Sequence, residues 1–235
     1  MYIKDYEIRY GDVKDFNTVK PSAILDFLQD VSTKHSASKG YGMKKLNELG
    51  IAWLLKGWKV KFLKPVSPET DVSVHTTIRK PRTVVSDRVY NVIQDGEVKV
   101  KAVGVWFTFD INQMKACKIP EGLAEVYMDC EFTDDFDAYV NPKECECDIV
   151  VEEIKISNRD IDTNSHLNNQ RSAEILMDAL PQNFEFSDMT VLYKKAAYLG
   201  DILILEALKT ENGYYTHLKN KQGEICVVGT FEKII

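Results

Sequence analysis

The sequence predicts an α+β fold made of two similar halves, and three observations carry that prediction. A stretch with helical spacing is followed by several stretches rich in β-branched and aromatic residues, and this order occurs twice. Asp95-Gly96 is a tight-hairpin dipeptide between two such stretches, so the strands pair antiparallel rather than through helical crossovers. Short motifs also recur in the same order in both halves.

Taken in order, residues 3–9 alternate as a first strand, and Gly11-Asp12 follows as a turn. Pro21 suits a first helical position, where its missing N–H is no loss, and Ile24, Phe27, Leu28 and Val31 recur at spacings of three and four. That predicts an amphipathic helix to about residue 36, with a shorter helical piece over 43–48 before Gly50. Residues 51–62, 71–78, 83–94 and 97–109 read as strands. From residue 110 the pattern weakens and acids accumulate, as in Asp134-Asp135-Phe136-Asp137 and residues 142–148. The expected division is an N-terminal domain over 1–115, a surface linker over 116–148 and a C-terminal domain over 149–235.

In the second half, 149–156 reads as a strand, 168–180 as a helix with Ala173, Leu176 and Leu180 on one side, and 189–193, 201–208, 214–220 and 225–231 as strands. The stretch from Phe62 to Asp71 is similar to that from Tyr193 to Asp201, and Gln94-Asp-Gly-Glu97 to Lys221-Gln-Gly-Glu224. Asp15-Phe-Asn17-Thr-Val19 precedes the first helix as Asp162-Thr-Asn164-Ser-His166 precedes the second. Aligned so, the Asp and Asn stand in both copies and the His in one, which predicts a single site in the second half.

The 44% hydrophobic and 28% charged residues of this 235-residue chain are those of an ordinary globular protein. No apolar run is long enough to span a bilayer and the first residues lack a signal-peptide core, so the expected compartment is the cytoplasm, with no membrane partner. A net charge of −6 excludes a general basic footprint for nucleic acid. Local basic spots, Arg79-Lys80-Pro81-Arg82 and Lys194-Lys195, could receive an acidic partner, though solvated strand ends are the plainer reading. Cys117, Cys130, Cys145, Cys147 and Cys226 lack paired C-x-x-C spacing and read as free thiols. Cys145-Glu-Cys147 is the only close pair, in a polar linker with no His nearby in sequence.

Asp162, Asn164 and His166 stand at alternate positions, so an extended segment would put a carboxylate, an amide and an imidazole on one face just ahead of a helix start. Free N–H groups and a partial positive charge there suit a developing oxyanion. Asp, Asn and Ser are also ordinary turn and capping residues, so D-x-N-x-H alone does not identify a catalyst.

Its surroundings go further. The string Asp160-Ile-Asp162-Thr-Asn164-Ser-His166-Leu-Asn168-Asn169, the helix after it, and Tyr193-Lys194-Lys195 leading to Gly200-Asp201 resemble the acyl-ACP thioesterase family, including its bacterial members. The element order, covering nearly the whole chain, is similar to the tandem (double) hot-dog fold, in which two long helices are each wrapped by an antiparallel sheet. The resemblance implies hydrolysis of the thioester of fatty acyl-ACP to free fatty acid and acyl carrier protein (ACP), ending chain elongation in fatty acid biosynthesis. It assigns the catalytic roles to Asp162, Asn164 and His166. Two departures stand out: Ala196 and Ala197 occupy the places of an acidic residue and, in plant members, of a Cys, and Ser172 and Ile175 stand where aromatic residues are common. A cysteine nucleophile at that place is excluded, and the resemblance does not fix the acyl-chain preference.

The expected mechanism has Asp162 activating water or attacking directly, Asn164 orienting water or carbonyl, His166 giving general acid/base help, and a backbone N–H at the helix start holding the oxyanion. Ile24, Phe27, Leu28 and Val31, with Trp53, are the candidate acyl-chain wall, although an apolar helix stripe and the strand residues Trp53 and Trp58 are first of all core. Lys194 and Lys195 are the candidate carrier-protein contacts. No Gly-rich phosphate loop, Cys/His cluster or G-x-S-x-G appears, so no cofactor or metal is expected. Rival readings are an acyl-CoA thioesterase of the same fold and a non-catalytic fatty-acyl-binding protein; a hot-dog dehydratase lacks the D-x-N-x-H string. With two halves in one chain a monomer suffices, and a homodimer is permitted.

Overall fold

The computed structural model describes residues 1–79, 81–127, 136 and 138–233. Lys80, Cys130, Asp134, Asp135 and Asp137 lie outside the described residues. The chain divides into two units, Met1–Lys56 with Phe62–Tyr139 and Gly57–Lys61 with Val140–Ile235.

The first unit contains β1 (Tyr2–Tyr6), β2 (Val13–Asp15), β3 (Thr18–Val19), α1 (Pro21–Ser38), α2 (Met43–Glu48), most of β4 (Ile51–Phe62), β5 (Val72–Ile78), β6 (Val85–Gln94), β7 (Glu97–Asp110), β8 (Lys115–Ala116) and α3 (Glu121–Glu125). Its sheet runs β1-β5-β6-β7-β4, with β8 beside β7 and antiparallel ladders from β1 through β7. Pro21 opens α1, and the helix buries Ile24, Phe27, Leu28 and Val31 as it packs against β1 and β5. Asp95 and Gly96 have φ of 53° and 76°, the left-handed pair a two-residue hairpin turn requires.

Residues 116–127 are not a surface linker. Ile119, Leu123 and Tyr127 are buried in one cluster with Leu46, Ile51 and Ile78. Apolar burial therefore carries this segment into the first unit, although its pattern is too short to declare a helix.

The second unit contains the 57–61 part of β4, then β9 (Ile149–Lys155), α4 (Asn169–Asp178), β10 (Asp188–Tyr193), β11 (Ile202–Lys209), β12 (Gly213–Asn220) and β13 (Ile225–Glu232). The sheet order is β4-β10-β13-β12-β11-β9, antiparallel throughout. α4 packs on β12 and β13, where Gly229 leaves room for Leu176 and Phe231. It has 10 residues against the 18 of α1. Pro181 disfavours helical backbone just before it and so limits any extension.

The two units repeat each other bond for bond at the helix entrance, but not in the register expected. Val13 pairs with Val19, and Ile161 with Leu167. Lys20 N–H donates to Asp12 O at 2.7 Å and Asn168 N–H to Asp160 O at 2.8 Å. Val19 N–H donates to Val66 O at 2.9 Å and Leu167 N–H to Ala197 O at 2.8 Å. Lys64–Glu97 and Lys195–Glu224 are matching ion pairs. By this register Asp162, Asn164 and His166 correspond to Lys14, Phe16 and Thr18, one residue away from the alignment read off the D-x-N string. The Asp-x-Asn turn itself is nevertheless repeated, displaced by one residue: Asp15 Oδ1 accepts from Asn17 N–H at 2.9 Å as Asp162 Oδ1 does from Asn164 N–H at 2.8 Å, while His166 has no histidine counterpart in the first unit. Among the described residues, no helix is long and apolar enough to cross a membrane.

Candidate active site

Asp160 anchors the loop that carries the three candidate residues. Its side chain is 5% exposed and accepts hydrogen bonds from Ser157 N–H (2.9 Å), Ser157 Oγ (2.5 Å) and Arg171 Nε (3.0 Å). Burial pushes this carboxyl upward, but the Ser157 and Arg171 bonds outweigh it and hold the group below the usual carboxylate range. One carboxylate thus ties the incoming chain at Ser157 to the first turn of α4 at Arg171. Asn168 caps that helix, its side-chain oxygen accepting from Gln170 N–H at 2.8 Å and Arg171 N–H at 3.2 Å. Ser172 N–H is taken by Asn168 O. Among the described residues this leaves Asn169 N–H as the open donor of the first turn, fewer than the sequence suggested. Tyr193 Oη donates to Asn169 O at 2.9 Å and steadies the same point from β10.

Between these anchors, residues 162–166 form a closed turn and not an extended strand. Asp162 N–H donates to His166 O at 2.8 Å, Ser165 N–H donates to Asp162 O at 3.1 Å, and Ser165 takes φ 62°. Asp162 Oδ1 accepts from Asn164 N–H at 2.8 Å and from His166 N–H at 3.2 Å, while Asn164 Nδ2 stands 3.4 Å from Oδ2. The carboxylate therefore organises the turn and brings the amide beside itself, the local bonding that Asp, Asn and Ser favour. Asp162 and His166 are half-buried and Asn164 is exposed. The His166 ring packs edge-on against Tyr198, with centroids 5.0 Å apart at 76°.

Ala196 and Ala197 bring no acid to this loop, but Ala197 O receives Leu167 N–H and so holds the segment just after His166. Lys194 and Lys195 are exposed, and each is already paired, with Glu144 and Glu224 respectively. The proposed acyl-wall residues are core: Ile24, Phe27, Leu28 and Val31 are fully buried, and Trp53 is half-buried against the Leu46–Ile78 cluster.

One constellation escaped the sequence reading. Cys147 does have a histidine beside it: its Sγ lies 3.7 Å from His217 Nδ1, and His217 Nε2 lies 2.5 Å from Glu206 Oε2. The strap at 140–148 lays Cys145 and Cys147 over Tyr215, Leu192 and Val228, which brings together groups 70 residues apart. Burial first, then the Glu206 charge, push the Cys147 thiol up to about 11, the reverse of what a nucleophilic thiolate needs. Among the described residues, no group of His, Cys, Asp or Glu is arranged to hold a metal ion.

The acyl-ACP thioesterase N-terminal domain family matches residues 1–127, and the acyl-ACP thioesterase C-terminal domain family matches residues 144–230. A search of curated protein sequences finds no match. Among solved structures, an acyl-ACP thioesterase from Bacteroides thetaiotaomicron superposes with a TM-score of 0.90 at 21% identity, covering 98% of this chain and 96% of that one. The 12:0-ACP thioesterase from Umbellularia californica gives 0.84 at 14% identity, again covering 98% and 96%. A 1,4-dihydroxy-2-naphthoyl-CoA thioesterase from Synechocystis matches 54% of this chain with 96% of its own length, at a TM-score of 0.50 and 14% identity. A smaller protein of this fold thus corresponds to about half of the chain, as a duplication requires.

Proposed function

This chain belongs to the acyl-ACP thioesterase family, whose reaction is hydrolysis of fatty acyl-ACP to free fatty acid and ACP, and we propose that it runs this reaction at the turn carrying Asp162, Asn164 and His166. The observation that carries the assignment is the Asp162 carboxylate, which bonds the backbone of both other residues directly ahead of a capped helix. Because Oδ1 is occupied by the turn, Oδ2 is the oxygen that takes a proton from the attacking water, with the Asn164 amide beside it to orient that water. His166, held by Tyr198, supplies acid/base or electrostatic help, and Asn169 N–H is the backbone donor for the oxyanion. A thiolate leaves readily because its conjugate acid has a pKa of about 8.5, so protonation of the leaving group is the least demanding step.

In this reading Ile24, Phe27, Leu28, Val31 and Trp53 form the wall of the acyl chain, and Lys194 and Lys195 meet the carrier protein by exchanging Glu144 and Glu224 for acidic groups of the partner. The setting is cytoplasmic, with no cofactor, and the chain acts as a monomer or a homodimer. Single-turnover hydrolysis of lauroyl-ACP by Asp162→Asn tests the base assignment: the rate should fall about 100-fold or more. A variant within threefold of wild type would remove Asp162 from the chemistry. Equal kcat/KM on lauroyl-ACP and lauroyl-CoA would favour the acyl-CoA alternative.

A further inference from the structure

In the first unit one buried cation has no side-chain anion among the described residues. Arg88, on β6, is 4% exposed. Its Nη1 donates to His35 Nδ1 at 2.7 Å and reaches Thr76 Oγ1 at 3.5 Å, and the guanidinium lies 5.6 Å from the Tyr127 ring centroid. Among the described residues no carboxylate pairs with it. A guanidinium has five N–H donors, and an uncompensated buried charge is among the most expensive groups to keep. Burial first, and then the Arg88 charge, lower His35 to about 3, so His35 is neutral and accepts.

A second observation stands beside the first. Ser86, two residues earlier on the unbroken part of the β6–β7 ladder, shares the face of Arg88, is 2% exposed, and its Oγ has no hydrogen-bond partner among the described residues. Across the ladders, Arg88 faces Ile78 on β5 and the bare Gly104 on β7. On α1, His35 follows Val31 by one helical turn, so the apolar stripe Ile24, Phe27/Leu28, Val31 ends in a neutral imidazole and then a guanidinium. A purely apolar chain uses no such end.

We propose that Arg88, with Ser86 and His35, forms a carboxylate-binding site at the end of the α1 stripe, filled by the carboxylate of an acid with an apolar chain; Thr76, whose hydroxyl donates to Val89 O at 2.9 Å, accepts from Arg88 and takes no part in holding the anion. The assignment of the apolar part rests on the reading of that stripe as an acyl wall; the anion site itself does not. Two sources share this chemistry: a free fatty acid bound head-first, which would make the product an inhibitor, and the ω-carboxyl end of a dicarboxylic acyl chain delivered as substrate.

Equilibrium binding, which needs no turnover, separates this proposal from the thioesterase assignment. Laurate, methyl laurate and dodecanedioate are titrated into the intact protein, wild type and Arg88→Met, by calorimetry. Wild type should bind laurate at least about 10-fold more tightly than the ester, the size expected for hydrogen bonds to a charged group. Arg88→Met should lose that gap, keep the ester affinity, and melt no lower than wild type, since an apolar group replacing a buried unpaired charge is neutral or stabilising. Equal binding of acid and ester by wild type overturns the proposal without any variant. So does an Arg88→Met protein that keeps the gap. Kinetics then name the source: competitive inhibition by laurate points to product, and a lower KM for the ω-carboxylated lauroyl-ACP than for lauroyl-ACP points to substrate.

Discussion

Replacing Asp160 by Asn should loosen the whole approach to the candidate site. The native carboxylate receives two bonds from Ser157 on Oδ2 and one from Arg171 on Oδ1, and the Asn side chain can satisfy only the first pair, turning an NH2 toward the Arg171 guanidinium. Hydrogen bonds to a charged group contribute about 1.5–3 kcal/mol and neutral ones about 0.5–1.5 kcal/mol, so the loss of one and weakening of two amounts to about 3.5–6 kcal/mol. For a chain of this size that is a fall in Tm of roughly 7–24 °C. The effect has a pH signature. Because the folded pKa of Asp160 is lowered, its stabilisation is present above the unfolded value of about 3.9 and disappears as pH falls through the folded value. Melts of wild type and Asp160→Asn should differ fully at pH 7 and converge in acid. The matching Asp12→Asn change, in the first unit, should cost less, because the Arg9 side chain that pairs with Asp12 is 65% exposed. Asp160→Asn melting within 2 °C of wild type at pH 7, or an undiminished gap at pH 3, would refute the anchoring argument.

Gly229→Ala places a Cβ 2.9 Å from Phe231 Cε2 and 3.1 Å from Leu176 Cδ1, both fully buried, and should cost about 1–3 kcal/mol. Adding Leu176→Ala should then cost less than the two single losses combined, as measured by urea unfolding. Charge reversal at Lys194 and Lys195 together should raise KM for lauroyl-ACP about 10-fold and weaken its salt dependence while leaving kcat, and the KM for lauroyl-CoA, nearly unchanged; unchanged KM for both would discard the carrier contact. His35, neutral in the fold down to about pH 3, binds a proton only in the unfolded chain as pH falls below about 6.5. Stability should therefore fall by up to about 1.4 kcal/mol per pH unit across that window, and His35→Gln should flatten the acid limb of the curve.

Features governed by neighbours in sequence were legible, and those governed by distant neighbours were not. Pro21 and Asp95-Gly96 act through their own backbone preferences, so the start of α1 and the β6–β7 hairpin could be read directly. The three residues of the candidate site could be named, but not their conformation: alternate spacing suggested a strand, whereas the Asp162 carboxylate closes a turn on the N–H groups of Asn164 and His166. The same ambiguity shifted the repeat by one residue, since each entrance loop contains an Asp-x-Asn and only the bridges Val13–Val19 and Ile161–Leu167 determine the register. Cys147 beside His217, and Arg88 beside His35, are tertiary meetings with no local signature. A charged residue inside a strand pattern reads as solvent-facing until a helix is found covering it.

The reaction proposed for this chain is release of thiol from acyl-ACP at the His166 turn. The most direct test is release of ACP thiol from acyl-ACPs of graded chain length by wild type and His166→Ala, followed continuously with a thiol reagent. Turnover should peak at one chain length and fall about 100-fold or more at that length in the variant. Acyl chains bound by the wild type without release at any length would contradict it, as would a variant that turns over like the wild type.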